Sequence, residues 1–207
     1  MRLKRICKSI TCIVMSAGFV FTGIPHTASY DAKKWETNLV SVLAADSLQY
    51  SDGNTTFKYE ELNDGTIKLT ECVKTAKELI IPAEINDKKV STIGLNFTSY
   101  NSSIEKVSIP EGVTTLDSFA FDSCENLESI NIPSTVTFIG HGTFRNCSSL
   151  KEIEIPDNIT RLYFSTFEGC SSLESVKLPE NLTQIDSYVF RDCSSLIEIS
   201  IPENLVE

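Results

Sequence analysis

Residues 127–149 read LESINIPSTVTFIGHGTFRNCSS, and residues 150–172 read LKEIEIPDNITRLYFSTFEGCSS. Both stretches are 23 residues long and share leucine, isoleucine, proline, threonine, phenylalanine and cysteine at matching positions. A fixed period of this length is typical of a solenoid, in which each unit buries its apolar side against the next unit. The same spacing continues on both sides of the quoted stretch, with prolines at Pro110, Pro133, Pro156, Pro179 and Pro202.

The apolar columns of the repeat predict the core of this solenoid. Each unit also contains a short segment such as Ile153-Glu154-Ile155, in which apolar and polar residues alternate until a proline ends strand pairing. We therefore expect a solenoid of α/β or mainly β type, with parallel short strands on one face and a short helical or extended segment opposite. The columns hold Phe121, Phe144, Phe167 and Phe190; Cys124, Cys147, Cys170 and Cys193; Leu127, Leu150, Leu173 and Leu196; and Ile130, Ile153, Val176 and Ile199.

The first 28 residues predict a secretory signal peptide. Four basic residues precede an apolar run from position 10 to about position 24, and small residues follow that run. Cleavage is expected near Ala28, with a second small-residue site near Ala44. Residues 29–56 show neither the period nor the columns, so we expect a loosely ordered leader there.

Residues 57–78 are expected to form a capping β-hairpin ahead of the array. Two strand-like runs, 57–62 and 66–72, flank Asn63-Asp64-Gly65, which is a strong turn signal. A hairpin at this place would cover the open apolar end of the first coil. The solenoid then covers residues 79–207, and an excursion around residues 86–89 lengthens the first spacing between prolines from 23 to 28 residues.

The chain is acidic, which narrows its possible partners. Its formal net charge is −10, and removal of residues 1–28, which hold four Lys and Arg and no Asp or Glu, would make it −14. A surface of this sign repels nucleic acid and anionic membranes. We expect no nucleic-acid partner and no membrane insertion after the signal is cleaved.

The repeat unit carries a resemblance to a known family. Its pattern, Phe-x-x-Cys-x-x-Leu-x-x-Ile-x-Ile-Pro-x-x-Val-Thr-x-Ile, resembles the leucine-rich repeat of the BspA-like, treponemal type, and the likeness covers residues 79–207. The resemblance implies a curved array of parallel strands in a secreted or cell-surface bacterial protein. It also implies adhesion to extracellular or host proteins, a role that follows from the resemblance only and not from the repeat pattern itself.

Catalytic, cofactor and metal sites are not expected. After the signal the only histidine is His141, which stands between two glycines on a predicted turn, and no nucleophile elbow, phosphate loop or zinc motif is present. The cysteine column does not predict a metal site, because Asn101 replaces cysteine in the first unit. Side chains of one column point the same way, so we expect buried thiols in place of disulfides.

The acidic strand positions leave one enzymatic alternative open. Glu152 and Glu154 share one face of a predicted strand, and two carboxylates could serve a glycan hydrolase. Lys177 stands beside Glu154 in the next coil, however, and opposite charges on neighbouring strands are sufficient to explain both as a solvated sheet face.

Two sets of exposed residues are candidates for partner binding. One is the polar strand set of Glu152, Glu154 and Lys177. The other is a group of aromatics outside the phenylalanine column, and aromatic residues are enriched at binding hot spots. We therefore expect a non-catalytic secreted or surface binding protein; the alternatives are a targeting module of a larger surface enzyme and, less favoured, the glycan hydrolase. The aromatic candidates are Phe119, Phe138, Tyr163, Phe164 and Tyr188.

The last unit stops at residues 201–207, before its phenylalanine and cysteine positions. An uncovered strand edge favours pairing with another chain. The sequence therefore predicts self-association through this C-terminal coil.

Overall fold

The computed structural model of the protein describes residues 48–206. The predicted signal peptide, both predicted cleavage sites and the predicted leader up to residue 47 lie outside the described residues. The described part consists of strands and turns and contains no helix. Its strands are β1 (Leu48–Ser51), β2 (Thr56–Glu61), β3 (Ile67–Lys74), β4 (Glu78–Ile80), β5 (Glu84–Ile85), β6 (Lys88–Ile93), β7 (Lys106–Ser108), β8 (Thr115–Leu116), β9 (Ser129–Asn131), β10 (Phe138–Ile139), β11 (Glu152–Glu154), β12 (Arg161–Leu162), β13 (Ser175–Lys177) and β14 (Gln184–Ile185).

Each 23-residue coil has three sides, which we name by their backbone structure. The first strand face is formed by β4, β7, β9, β11 and β13, each of which ends two positions before the proline of its unit. The second strand face is formed by β6, β8, β10, β12 and β14, which follow the proline. The turn face is formed by the turn segments 95–100, 118–123, 141–146, 164–169 and 187–192.

Parallel pairing joins the units on both strand faces. On the first face β4 pairs with β7, β7 with β9 and β11 with β13; on the second face β6 pairs with β8, β8 with β10 and β12 with β14. The solenoid and its parallel strands are thus confirmed. The expectation of strands on one face was incomplete, because strands of two residues are too short to show alternation in a sequence.

The turn face replaces the helical or extended segment expected on the far side. Its backbone amides bond across neighbouring units: Phe121 donates to the carbonyl of Thr143 at 2.9 Å, and Phe144 donates to that of Thr166 at 3.0 Å. Consecutive turns can therefore satisfy backbone groups between units as the strands do.

The N-terminal hairpin extends this stack. β2 and β3 pair antiparallel, and β3 pairs parallel with β6, so the hairpin continues the second strand face. Phe57 stacks on Phe97 with ring centroids 6.2 Å apart, which continues the phenylalanine column. The structure differs from the expected loose leader at residues 48–51, because β1 pairs with β2 and shields the Phe57 side of the hairpin through Tyr50.

The core is a continuous column of apolar side chains. Phe121, Phe144 and Phe167 are fully buried, and neighbouring rings are nearly parallel with centroids 5.5–5.7 Å apart. The predicted excursion is a small antiparallel hairpin of β5 and β6, whose turn residues Asn86 and Asp87 adopt left-handed backbone angles. The insertion therefore leaves the phase of the repeat intact.

Candidate binding surface

The turn face carries two left-handed backbone positions in every unit. At the first of them stand, among others, Phe119 and Tyr188, with φ of 58° and 64°, and at the second stands Tyr100, with φ of 64°. This conformation costs a residue other than glycine about 1–2 kcal/mol. Bulky residues are uncommon there, so the stack holds three aromatic residues in places that local preference alone would give to glycine or asparagine. The two columns are Asn96, Phe119, Gly142, Ser165 and Tyr188, and Tyr100, Ser123, Asn146, Gly169 and Asp192.

The predicted aromatic candidates meet in pairs across neighbouring units. The rings of Phe138 and Tyr163 lie 5.2 Å apart, and those of Phe164 and Tyr188 lie 5.3 Å apart in an edge-to-face arrangement. Phe164 and Tyr188 are 43% and 52% exposed, whereas Phe138 and Tyr163 are half-buried. The exposed pair is therefore available for contact with a partner, and the half-buried pair supports it from the adjoining edge.

Every arginine in the described part of the chain lies over one of these rings. The guanidinium carbon of Arg161 is 4.7 Å from the centroid of Tyr163, and those of Arg145 and Arg191 are 5.1 and 5.2 Å from Phe119 and Tyr188. Such cation–π contacts contribute about 0.5–1 kcal/mol each at exposed sites. These contacts favour the observed orientation of the three rings.

Carboxylates hold these guanidinium groups in place. Nε and one terminal nitrogen of Arg145 donate to the two oxygens of Asp122, both at 2.9 Å, and the Asp122 side chain is only 3% exposed. Arg161 makes the same two-pronged contact with Asp186 at 3.0 and 2.9 Å. Hydrogen bonding to these carboxylates raises the pKa of both guanidinium groups, which stay charged.

A shallow depression lies beside this cluster. Tyr100, which is 74% exposed, Asn96 and Ser99 form one wall, while Phe119 and the Asp122–Arg145 pair form the other. Sequence reasoning missed Tyr100 and the three arginines. A usable signal existed, since Asp122, Arg145, Glu168 and Arg191 occupy one column with alternating charge.

The polar strand candidates lie on a different face from the aromatics. Glu154 faces Lys177 in the register of β11 and β13, and their side chains form an exposed ion pair. Glu152 is exposed two residues earlier on the same strand and forms no ion pair in the described structure. The structure therefore separates the two candidate sets that the sequence proposed.

The cysteine column is built into the packing. Sγ of Cys147 donates to the carbonyl of Phe121 at 3.2 Å, and Sγ of Cys170 donates to that of Phe144 at 3.1 Å. All five cysteines of the described part are free thiols, and burial raises the pKa of Cys124 to about 11. A thiol with so high a pKa is protonated and unreactive at neutral pH.

Residues 48–206 contain no group of three or more His, Cys, Asp or Glu residues placed to hold a metal ion. None of their segments is a helix with the length and apolar character of a membrane span.

The repeat array matches a known protein family. Residues 91–207 match the family model described as BspA type leucine rich repeat region, in six copies. No curated protein matches the chain.

Solved structures give a consistent fold. The chain is similar to a leucine rich repeat protein of T. pallidum, with a TM-score of 0.68 and 29% identity over 70% of this chain and 69% of that chain. It is also similar to a leucine-rich repeat protein from Eubacterium ventriosum, with a TM-score of 0.50 and 28% identity over 75% of this chain and 48% of that chain. A leucine rich cell surface protein from Faecalibacterium prausnitzii shares the fold, with a TM-score of 0.54 and 24% identity over 75% of this chain and 55% of that chain. The chain thus spans about two thirds of the first protein and about half of the other two.

Proposed function

Because the chain belongs to the BspA-type leucine-rich repeat family, we propose that it is a non-catalytic surface or secreted protein that binds an extracellular or host protein through its turn face. One observation carries this proposal: every arginine of the described part lies over an aromatic ring on or beside that face. Tyrosine and arginine, together with tryptophan, are enriched at protein binding hot spots. A similar structure is that of a leucine rich cell surface protein, which supports the proposed location.

Charge also favours the turn face over the first strand face. Arg145, Arg161 and Arg191 each have a carboxylate partner within 3.5 Å, so the cations and anions there offset one another. The first strand face instead carries more glutamates than lysines along its columns. A partner approaching the turn face of this acidic chain therefore meets apolar rings and paired charges, with less repulsion from net charge.

The aromatic contacts also lower the entropic cost of binding. Contact with a guanidinium group and a neighbouring ring favours one rotamer of Tyr188 in the free protein. Side chains that are immobilised before binding cost less to order at an interface. Phe164 and Tyr188 are the members of the set that combine this support with exposure.

A binding screen with a paired set of variants tests the proposal. The chain is applied to immobilised extracellular matrix and serum proteins, and each hit is measured again with Phe164→Ala/Tyr188→Ala. We expect the double variant to weaken binding at least about tenfold, since each hot-spot residue is worth 2 kcal/mol or more.

The matched control changes two exposed residues of the first strand face, Lys106→Ala and Glu152→Ala. We expect this control to bind within about twofold of the unchanged chain. Loss of binding in the strand-face variant with retention in the aromatic variant would refute the turn face as the binding surface. Circular dichroism of both variants checks that the fold is retained.

A further inference from the structure

The units of the solenoid are not joined equally. The weakest joint lies between residues 127–149 and residues 150–172, and we call it the central junction. On the first strand face no pairing connects β9 with β11, and on the second none connects β10 with β12, although all the other consecutive strands of both faces within the described part are paired. The last unit, residues 196–206, also lacks pairing on the first strand face, but on the second face the Val206 amide donates to the carbonyl of Thr183 at 2.9 Å. Within the described part, the central junction alone lacks pairing on both strand faces.

Individual hydrogen bonds show what is missing. At the junction before the central one, three amides of residues 127–149 donate to carbonyls of the preceding unit at 2.8–2.9 Å. At the junction after the central one, the three equivalent amides of the next unit donate to carbonyls of residues 150–172 at 2.8–2.9 Å. The equivalent amides at the central junction have no protein acceptor in the described structure. The three sets are Glu128, Thr137 and Gly140; Glu174, Thr183 and Asp186; and, at the central junction, Lys151, Thr160 and Tyr163.

Ion pairs follow the same distribution. The pair of Arg145 with Asp122 crosses the preceding junction, and the pair of Arg161 with Asp186 crosses the following one. Among the described residues, no ion pair within 4 Å joins 127–149 to 150–172. The central junction therefore lacks both the backbone bonds of the strand faces and the ion pairs that join the neighbouring units.

The turn face is the exception, because it stays fully bonded across the central junction. Gly142 donates to the carbonyl of Phe164 at 2.9 Å, and Asn146 donates to that of Glu168 at 2.7 Å. Beneath these bonds the rings of Phe144 and Phe167 stack with centroids 5.5 Å apart. One side of the triangular coil is therefore fastened by main-chain bonds, which the two strand faces lack at this junction. At the corners between the faces, the Ser172 amide donates to the carbonyl of Ser148 at 3.2 Å, and the Asn158 side chain donates to that of Ser134 at 2.7 Å.

We propose that the central junction is a hinge, at which the two blocks of the array open along both strand faces while the turn face acts as the axis. Hinges are short segments that absorb a change in geometry between bodies that stay internally packed. Here the two bodies are the units up to residue 149 and the units from residue 150. The half-buried rings of Phe138 and Tyr163 lie on opposite sides of the joint, so opening separates them.

Amide exchange locates the joint in the full chain. We expect Thr160 and Tyr163 to exchange at least about tenfold faster than their equivalents in both neighbouring units, because amides without a hydrogen-bonded partner need no opening of a bond. Fraying from the C-terminal end would instead make Thr183 and Asp186 the faster pair. Equal rates, or rates that rise steadily toward the end, would overturn the proposal.

Distance measurements distinguish motion from a merely static gap. Two spin-label pairs each span four units: Glu78→Cys with Ser175→Cys on the first strand face, and Leu95→Cys with Ser187→Cys on the turn face. At about 4.8 Å per unit both pairs are about 19 Å apart along the stack. Cys7, Cys12 and Cys72 are replaced by serine in both label pairs. The four cysteines of the repeat column are buried and react slowly beside the exposed new thiols.

The widths of the two distance distributions decide the outcome. A hinge with its axis on the turn face broadens the strand-face distribution to at least about twice the width of the turn-face distribution. Equal widths would overturn the proposal even if the exchange pattern were as expected. The test does not depend on any binding partner, so it stands apart from the proposed function.

Discussion

Removal of the Arg145 side chain is expected to destabilise the protein strongly. Both oxygens of Asp122 accept hydrogen bonds from Arg145 at 2.9 Å, and this carboxylate is 3% exposed. Arg145→Ala leaves a buried carboxylate without its cation, a change that costs about 3–5 kcal/mol. Because the arginine side chain itself is 35% exposed, water can enter the vacated space, so we expect a value near the lower end, about 3 kcal/mol.

A double-mutant cycle isolates the cause of this loss. Asp122→Asn removes the charge that Arg145→Ala would leave unpaired, so the double variant is expected to be more stable than Arg145→Ala alone. The coupling between the two sites should then be about 2 kcal/mol, within the range for residues in direct contact. Urea unfolding followed by circular dichroism gives the four free energies of unfolding, provided that the transitions coincide by a second probe.

The exposed pair of Lys177 and Glu154 supplies the comparison. Their side chains are 73% and 68% exposed, and such surface pairs contribute about 0–1 kcal/mol. Lys177→Ala should therefore change stability by less than about 1 kcal/mol. If Arg145→Ala cost no more than Lys177→Ala, the argument from burial would be refuted, and the turn-face pair would rank as an ordinary surface contact.

Three further predictions follow from the packing. Gly142→Ala should cost about 2 kcal/mol in urea unfolding, because φ at this position is 55° and a Cβ atom would lie 2.5 Å from the ring of Phe119. In a Phe119→Ala background the same substitution should cost only the backbone strain, and equal losses in the two backgrounds would contradict the steric reason. Phe144→Ala should lower the free energy of unfolding by about 3–5 kcal/mol, since the ring is fully buried between those of Phe121 and Phe167. A loss below about 2 kcal/mol would contradict this and show that the neighbouring side chains fill the cavity. The free energy of unfolding should fall as pH rises from about 9 to about 11. The pKa of the Cys124 thiol is 9.0 in the unfolded chain and about 11 in the folded chain, so the folded chain holds more protons in that window. Cys124→Ala should make the fall less steep, and identical slopes in the two proteins would exclude this thiol as the cause.

The core residues could be predicted from the repeat in the sequence alone. Columns of phenylalanine, cysteine and leucine at a period of 23 residues could only be buried together by stacking, and Phe144 and Cys147 lie where that argument places them. The second strand face was missed, because pairs such as Arg161 and Leu162 form a strand of two residues without alternation. Its existence depends on backbone bonding between units, which side-chain pattern does not report.

The candidate surface was predictable only in part. Phe164 and Tyr188 stood out as aromatics outside the buried column, and the structure brings their rings together. Tyr100 was missed because the five-residue excursion obscures the alignment of the first unit, and its left-handed backbone gives no sequence signal in a tyrosine. The gap at the central junction is also invisible in the sequence, since residues 127–149 and 150–172 match at every core position.

The free thiols of the described residues have a consequence for stability in reducing and oxidising surroundings. Each thiol from Cys124 onward donates to a main-chain oxygen of the unit before it, and none of the five described cysteines is cross-linked. Residues 48–206 therefore hold no bond that a reductant can cleave. Their stability should be the same in dithiothreitol as in air, so this part of the chain can pass between reducing and oxidising surroundings without refolding.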